Sequence, residues 1–159
     1  MRTIILTLVT AIIFCFTALF FLNRSNQKKI VYADAIRLFN DYKFKIDMEK
    51  MGQVTLSRLQ QELDSVGVIY KSNRSDPNAQ QLVATAEGKL TEAYAAINKE
   101  INEKAWMKLN PLINKYGKEK GIDMLIGANG MGTVLYASES KDITEDLIKY
   151  VNEIYEKGN

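Results

Sequence analysis

The sequence predicts an α+β protein. A long antiparallel helical hairpin, a coiled-coil arm, stands on a small base of β-strands and one short helix, behind an N-terminal hydrophobic anchor or signal. Three observations predict it. Only two prolines, Pro77 and Pro111, occur in 159 residues, so long helices are permitted. Apolar residues recur at helical spacing on both sides of a polar turn at 72–78. Short β-branched and aromatic runs lie at the two ends of this helical stretch.

The first element is the apolar run 4–22, which holds only Thr, Ala, Cys and large apolar residues. As a helix it would be about 28 Å long, close to the ~30 Å hydrocarbon core of a bilayer. A signal-peptide core is shorter and ends in a small-x-small cleavage site. Here the run ends Phe20-Phe21-Leu22-Asn23-Arg24. An uncleaved signal anchor is therefore favoured over a cleaved signal. Phe14 before Cys15 argues against a lipoprotein.

Lys29-Ile30-Val31-Tyr32-Ala33-Asp34 reads as a strand with an acidic stop. A helix is expected from about 35 to 71. Leu56, Leu59, Leu63, Val66 and Tyr70 form a heptad seam. Phe39, Tyr42 and Ile46 obey the same spacing, but the frame slips before Leu56, where Gly52 weakens the helix. Segment 72–78 is the clearest turn, with Asp76 as N-cap and Pro77 at the first helical position. A second helix is expected from 77 to about 120. Its apolar positions are Leu82, Ala86, Leu90, Tyr94, Ile97, Ile101, Ala105, Leu109, Leu112 and Tyr116. Pro111 should kink it or mark a joint.

Gly121 ends that helix. Residues 122–126 and 133–136 read as strands of a hairpin turning at Asn129-Gly130. Residues 142–155 close as a helix capped by Asp142 or Thr144, with Ile143, Leu147, Ile148, Val151, Ile154 and Tyr155 on its apolar face. The organisation is thus 1–29 as anchor or signal, 30–42 with 117–159 as base, and 43–116 as arm. A base this small is near the lower limit for standing alone, and oligomerisation is the simplest remedy.

Composition excludes much chemistry. There is no histidine, and the only cysteine is Cys15. The commonest general base, a disulfide and a zinc cluster are all missing from the sequence. No catalytic residue, metal site or cofactor is expected, and the chain is read as no enzyme. Arg2, Arg24, Lys28 and Lys29 precede Ile30 with no acid among them; the remainder carries 17 basic and 19 acidic side chains. A near-neutral folded part gives no argument for nucleic acid. The Asn129-Gly130-Met131-Gly132 stretch lacks the spacing of a phosphate loop and is read as a turn. Asp142, Glu145 and Asp146 are read as cap and dipole charges rather than a cation site.

Several segments together resemble the Skp or OmpH family of periplasmic chaperones. They are residues 29–34, Arg37-Leu38-Phe39-Asn40-Asp41-Tyr42, Lys118-Glu119-Lys120-Gly121-Ile122-Asp123, Leu135-Tyr136-Ala137, and Asp142-Ile143-Thr144 with the Leu147-Ile148 helix. The resemblance spans about 29 to 152. It implies a homotrimer whose bases join through strands and whose three arms enclose a cavity. Unfolded outer-membrane proteins would be held there without ATP, in the periplasm of a Gram-negative bacterium. The anchor would tether the chain to the inner membrane through residues 4–22; a soluble periplasmic form after cleavage is the alternative. Positive charge at 24, 28 and 29 taken alone favours the opposite orientation. Familiar members are also strongly basic, so the pull on acidic clients or lipid should be weaker here.

A holdase needs adjustable apolar surface. Met48, Met51, Val68, Ile69, Tyr70, Lys71 and Arg74 are the candidate client-binding residues of the arm. For Met48 and Met51 packing in the hairpin seam is favoured, and for Lys71 and Arg74 a solvated turn. Val68, Ile69 and Tyr70 are consecutive, so they cannot all face one helix. Trp106 suits packing at the base. Ile30, Val31, Tyr32, Leu125, Ile126, Val134, Leu135 and Tyr136 are the candidate trimerisation residues. The alternative function is a membrane-anchored coiled-coil adaptor for one folded envelope partner.

Overall fold

The computed structural model describes residues 28–158, together with Ile13, Phe14 and Thr17. Those three aside, the expected anchor at 4–22 lies outside the described residues. Among the described residues, no helix is long and apolar enough to cross a membrane.

Strand β1 is Ile30–Asp34 and β2 is Met124–Ala128. They pair in parallel, Ile30 with Met124 through Asp34 with Ala128. Lys29 fixes this register at its start: its N–H donates to Asp123 Oδ2 at 2.6 Å, and its ammonium to the Lys120 carbonyl at 2.9 Å. Asp34 then stops the strand and caps α1, Ala35–Asn40, accepting from the N–H groups of Ile36 and Arg37 at 3.0 and 2.9 Å.

The arm consists of α2, Lys43–Ser72, and α3, Pro77–Glu119. The single helix expected from 35 is therefore broken at Asp41 and Tyr42. The break lets Tyr42, only 1% exposed, drive its ring into the base core. At the tip, Asp76 caps α3 through Asn78 N–H at 2.9 Å, with Pro77 opening the helix. α3 continues through Pro111 to Glu119, and Gly121 just beyond it has a φ of +58°, which suits a left-handed cap. The closing helix, α4, is Thr144–Lys157.

Two expectations need correction. Residues 133–136 form no strand; the sheet has two strands, and β2 begins two residues later than expected. Asn129 instead uses its side-chain oxygen to accept from Met131 N–H (3.0 Å) and Thr133 Oγ1 (3.1 Å). Gly130 and Gly132 both adopt positive φ, and the chain swings clear of the ladder. In addition, Leu82 and Tyr94 are exposed rather than in the seam. Ala86 is buried as expected, and Ala79, not expected, is buried with it, so small side chains bring the helices together at these points.

The core sits in the base. Ala33, Leu38, Tyr42, Leu109, Tyr116, Leu147, Ile148 and Val151 form one buried cluster. Phe39 stacks on Trp106 at 5.0 Å between centroids beside it, which places Trp106 in packing. α4 is held to the rest by side chains as well as by burial. Thr144 Oγ1 accepts from Asp34 N–H at 2.9 Å. Buried Asn152 accepts from Lys43 N–H and donates to the Asp41 carbonyl, both at 2.8 Å. It thus caps α2 from another helix, because Tyr42 has no side chain able to do so.

The arm is leaner. Between Leu56 and Ile101 only Ala79 and Ala86 are buried. One ion pair, Lys89 to Glu62 at 2.9 Å, ties the two helices there. Exposed pairs of this kind add little, so the outer arm has low local stability. At Gly52 the helices touch: a Cβ there would lie 2.6 Å from Ile97 Cγ2. Gly52 is a point of close approach and not merely a weak turn.

Three stability measurements follow from this packing, all on residues 28–159 by thermal unfolding. Gly52→Ala should destabilise, because overpacking costs about 1–3 kcal/mol against a propensity gain of about 1 kcal/mol. Gly67→Ala, where nothing lies within 4 Å, should raise stability. Asn152→Ala should cost about 1–3 kcal/mol by stranding Asp41 and Lys43 backbone groups.

Candidate functional site

The outer face of the sheet is the first candidate surface. Registered partners of a parallel ladder share a face, so Ile30, Tyr32, Met124 and Ile126 point away from the core. Segment 133–137 lies over this face without pairing to it. Between them is a cleft of about 300 Å³, lined by Ile30, Val31, Tyr32, Ile126, Val134, Tyr136, Ala137 and Lys141. Six of the eight assembly candidates therefore meet at one place. The other two do not: Leu125 packs on the base core, while Leu135 is 92% exposed. Val31 contributes little free surface, being 4% exposed.

This face exposes apolar side chains. Leu135 and Tyr136 are nearly fully exposed, and Ile30, Met124 and Met131 are exposed beside the same strands and turn. Met124 and Met131 escaped the sequence reading. The two-residue alternation along 124–126 could have found Met124; Met131 sits in a turn, where no periodicity applies.

The arm gives the second surface. Met51, Val68 and Ile69 are exposed, at 73%, 66% and 52%, and Lys71 and Arg74 are exposed at the tip. Met48 and Tyr70 are half-buried. Met51 therefore stands off the seam, and the three consecutive apolar residues at 68–70 divide between solvent and partner helix. Val54, 73% exposed, was missed. It lies three residues from Met51 and follows the same helical face, a signal present in the sequence. A groove of about 740 Å³ runs along Glu49, Gln53, Ser57 and Gln61 of α2. Its lining mixes charges, amides and one valine, and converges on no reactive group.

Among the described residues, no three metal-ligating side chains gather. The resolved shifts concern tyrosines and one carboxyl. Burial, aided by Tyr155, raises the Tyr42 phenol; burial, aided by Asp146, raises Tyr116. Loss of solvent and then the Asp142 carboxylate raise Tyr32, and loss of solvent and then Glu119 raise Tyr150. At the arm's root, hydrogen bonds from Lys50 and then Tyr155 hold the Asp47 carboxyl below the ordinary range.

A raised phenol pKa in the folded state gives stability that is complete below the unfolded value, near ~10. It is lost as pH rises through the folded value. Alkaline titration should therefore show tyrosinate absorbance rising together with loss of helical circular dichroism, since Tyr32, Tyr42, Tyr116 and Tyr150 all lie in the base. Tyrosinate forming fully before any unfolding would contradict this.

No curated protein matches the chain. A solved OmpH-like outer membrane chaperone from Caulobacter crescentus CB15 is similar over 80% of this chain and 86% of that one, at 14% identity and a TM-score of 0.43. The family described as outer membrane protein (OmpH-like) matches residues 29–151, from the first base strand to the middle of α4. That match takes in both halves of the base and the entire arm, and the chain belongs to the OmpH-like family.

Proposed function

We propose that this chain is an ATP-independent holdase chaperone for unfolded outer-membrane or envelope proteins. The observation that carries the reading is OmpH-like family membership across base and arm together. Apolar arm residues without partners, Met51, Val54, Val68 and Ile69, supply adaptable contacts on a scaffold with little local stability. No bond is made or broken in the client, and no cofactor takes part.

Three copies would assemble through the cleft face of the base. Ile30, Tyr32, Met124, Ile126, Leu135 and Tyr136 offer the apolar area, and the unpaired segment 133–136 offers backbone groups to a neighbour. The arms would then surround a common space in the periplasm. Residues 4–22 would tether the assembly to the inner membrane, with release by signal cleavage as the alternative.

Residues 28–159 should suppress aggregation of an urea-diluted β-barrel protein at several-fold excess. Light scattering that is unchanged at that excess counts against a holdase. Recovery of one stoichiometric folded partner instead would favour the adaptor reading. The same fragment should sediment as a trimer, and Leu135→Ser combined with Tyr136→Ser should shift it toward monomer. A wild-type monomer at high concentration would remove the cage.

A further inference from the structure

The arm meets the base at two discontinuities on one level. On one side, α1 and α2 are separated at Asp41 and Tyr42. On the other, α3 contains Pro111. Proline has no N–H, so the Met107 carbonyl loses its usual donor four residues on, and that turn is soft. The two discontinuities face each other. Tyr42, Lys108 and Leu112 line one cleft, and Tyr42 and Leu109 share the buried cluster. Lys108 Nζ lies 4.6 Å from the centre of the Phe44 ring. A hairpin with both rails weakened at one level would bend there.

α4 is placed to prevent it. Asn152, Tyr155 and Glu156 lie on one side of this helix, three and four residues apart. All three reach the start of α2. Asn152 holds Asp41 and Lys43 through two hydrogen bonds of 2.8 Å. Tyr155 O–H donates to Asp47 Oδ2 at 3.1 Å, and Glu156 pairs with Lys43. The bond from Tyr150 to Glu119 (2.8 Å) fastens α4 to the base side of Pro111. α4 therefore spans the weak level, gripping the arm above it and the base below.

We infer that α4 is a lock across a transverse hinge. It fixes the angle at which the arm leaves the base, and bending is confined to the lean outer arm while the lock holds. In the proposed cage this angle would set the aperture. The measurement below uses no client, so it succeeds or fails independently of the holdase reading.

The test is a distance distribution by double electron–electron resonance in the full chain carrying Cys15→Ser. Spin labels go at Ser75→Cys on the tip and Lys118→Cys below Pro111, with labelled subunits diluted into unlabelled ones. Asn152→Ala should broaden the distribution. Tyr155→Phe removes only the Asp47 hydrogen bond and keeps the ring against Tyr42 and Phe44, so it should fold normally and broaden it less. Adding Pro111→Ala to Asn152→Ala should narrow it again. Unchanged widths in Asn152→Ala and Tyr155→Phe would overturn the lock. Failure of Pro111→Ala to narrow the distribution would overturn the hinge.

Discussion

The structure depends on one pairing: residues 30–34 lie in parallel register with residues 124–128. Parallel neighbours cannot be joined by a tight turn, and the intervening chain must leave the sheet and return. In most folds a short helix does this. Here the return path is the entire arm. The two arm helices turn back at Asn73–Asp76, and the returning chain brings Asp123 to the N–H of Lys29 where the ladder begins.

Stability is divided unevenly along this path. The base gathers aromatic rings with complete burial of Leu109, Leu147 and Val151, and its polar contacts cross more than a hundred residues of sequence. The outer arm has small residues at its seam and solvent-exposed charges around it. Burial contributes about 25 cal/mol per Å² of apolar surface, and alanine has little to bury. The protein thus joins a well-determined root to a loosely determined extremity.

Much of this was legible from sequence because it rests on local rules. Asp76-Pro77 announced a helix start, Gly121 a helix end, and the Leu56 to Tyr70 heptad the hairpin seam. What escaped was set by distant residues. The break at Asp41 and Tyr42 looks like continuous helix locally, and Asn152, more than a hundred positions on, satisfies the Asp41 carbonyl and the Lys43 N–H beside it. Asn129-Gly130 carried a strong hairpin signal, yet the Asn129 side chain bonds its own loop and the following residues find no partner strand among the described residues. The site was legible to a similar depth. The strand reading named the base residues as a group, but it did not separate Leu125, packed against the core, from Met124, which is exposed.

The ladder also orders events during synthesis. The arm is built from contacts between neighbours across a tight turn, whereas the base needs residue 30 to meet residue 124 and residue 43 to meet residue 152. Local contacts form sooner than distant ones. A growing chain therefore holds a finished hairpin while its foot is still missing two of its parts. The cleft face of the base is not complete until residues 126–141 have followed the whole arm.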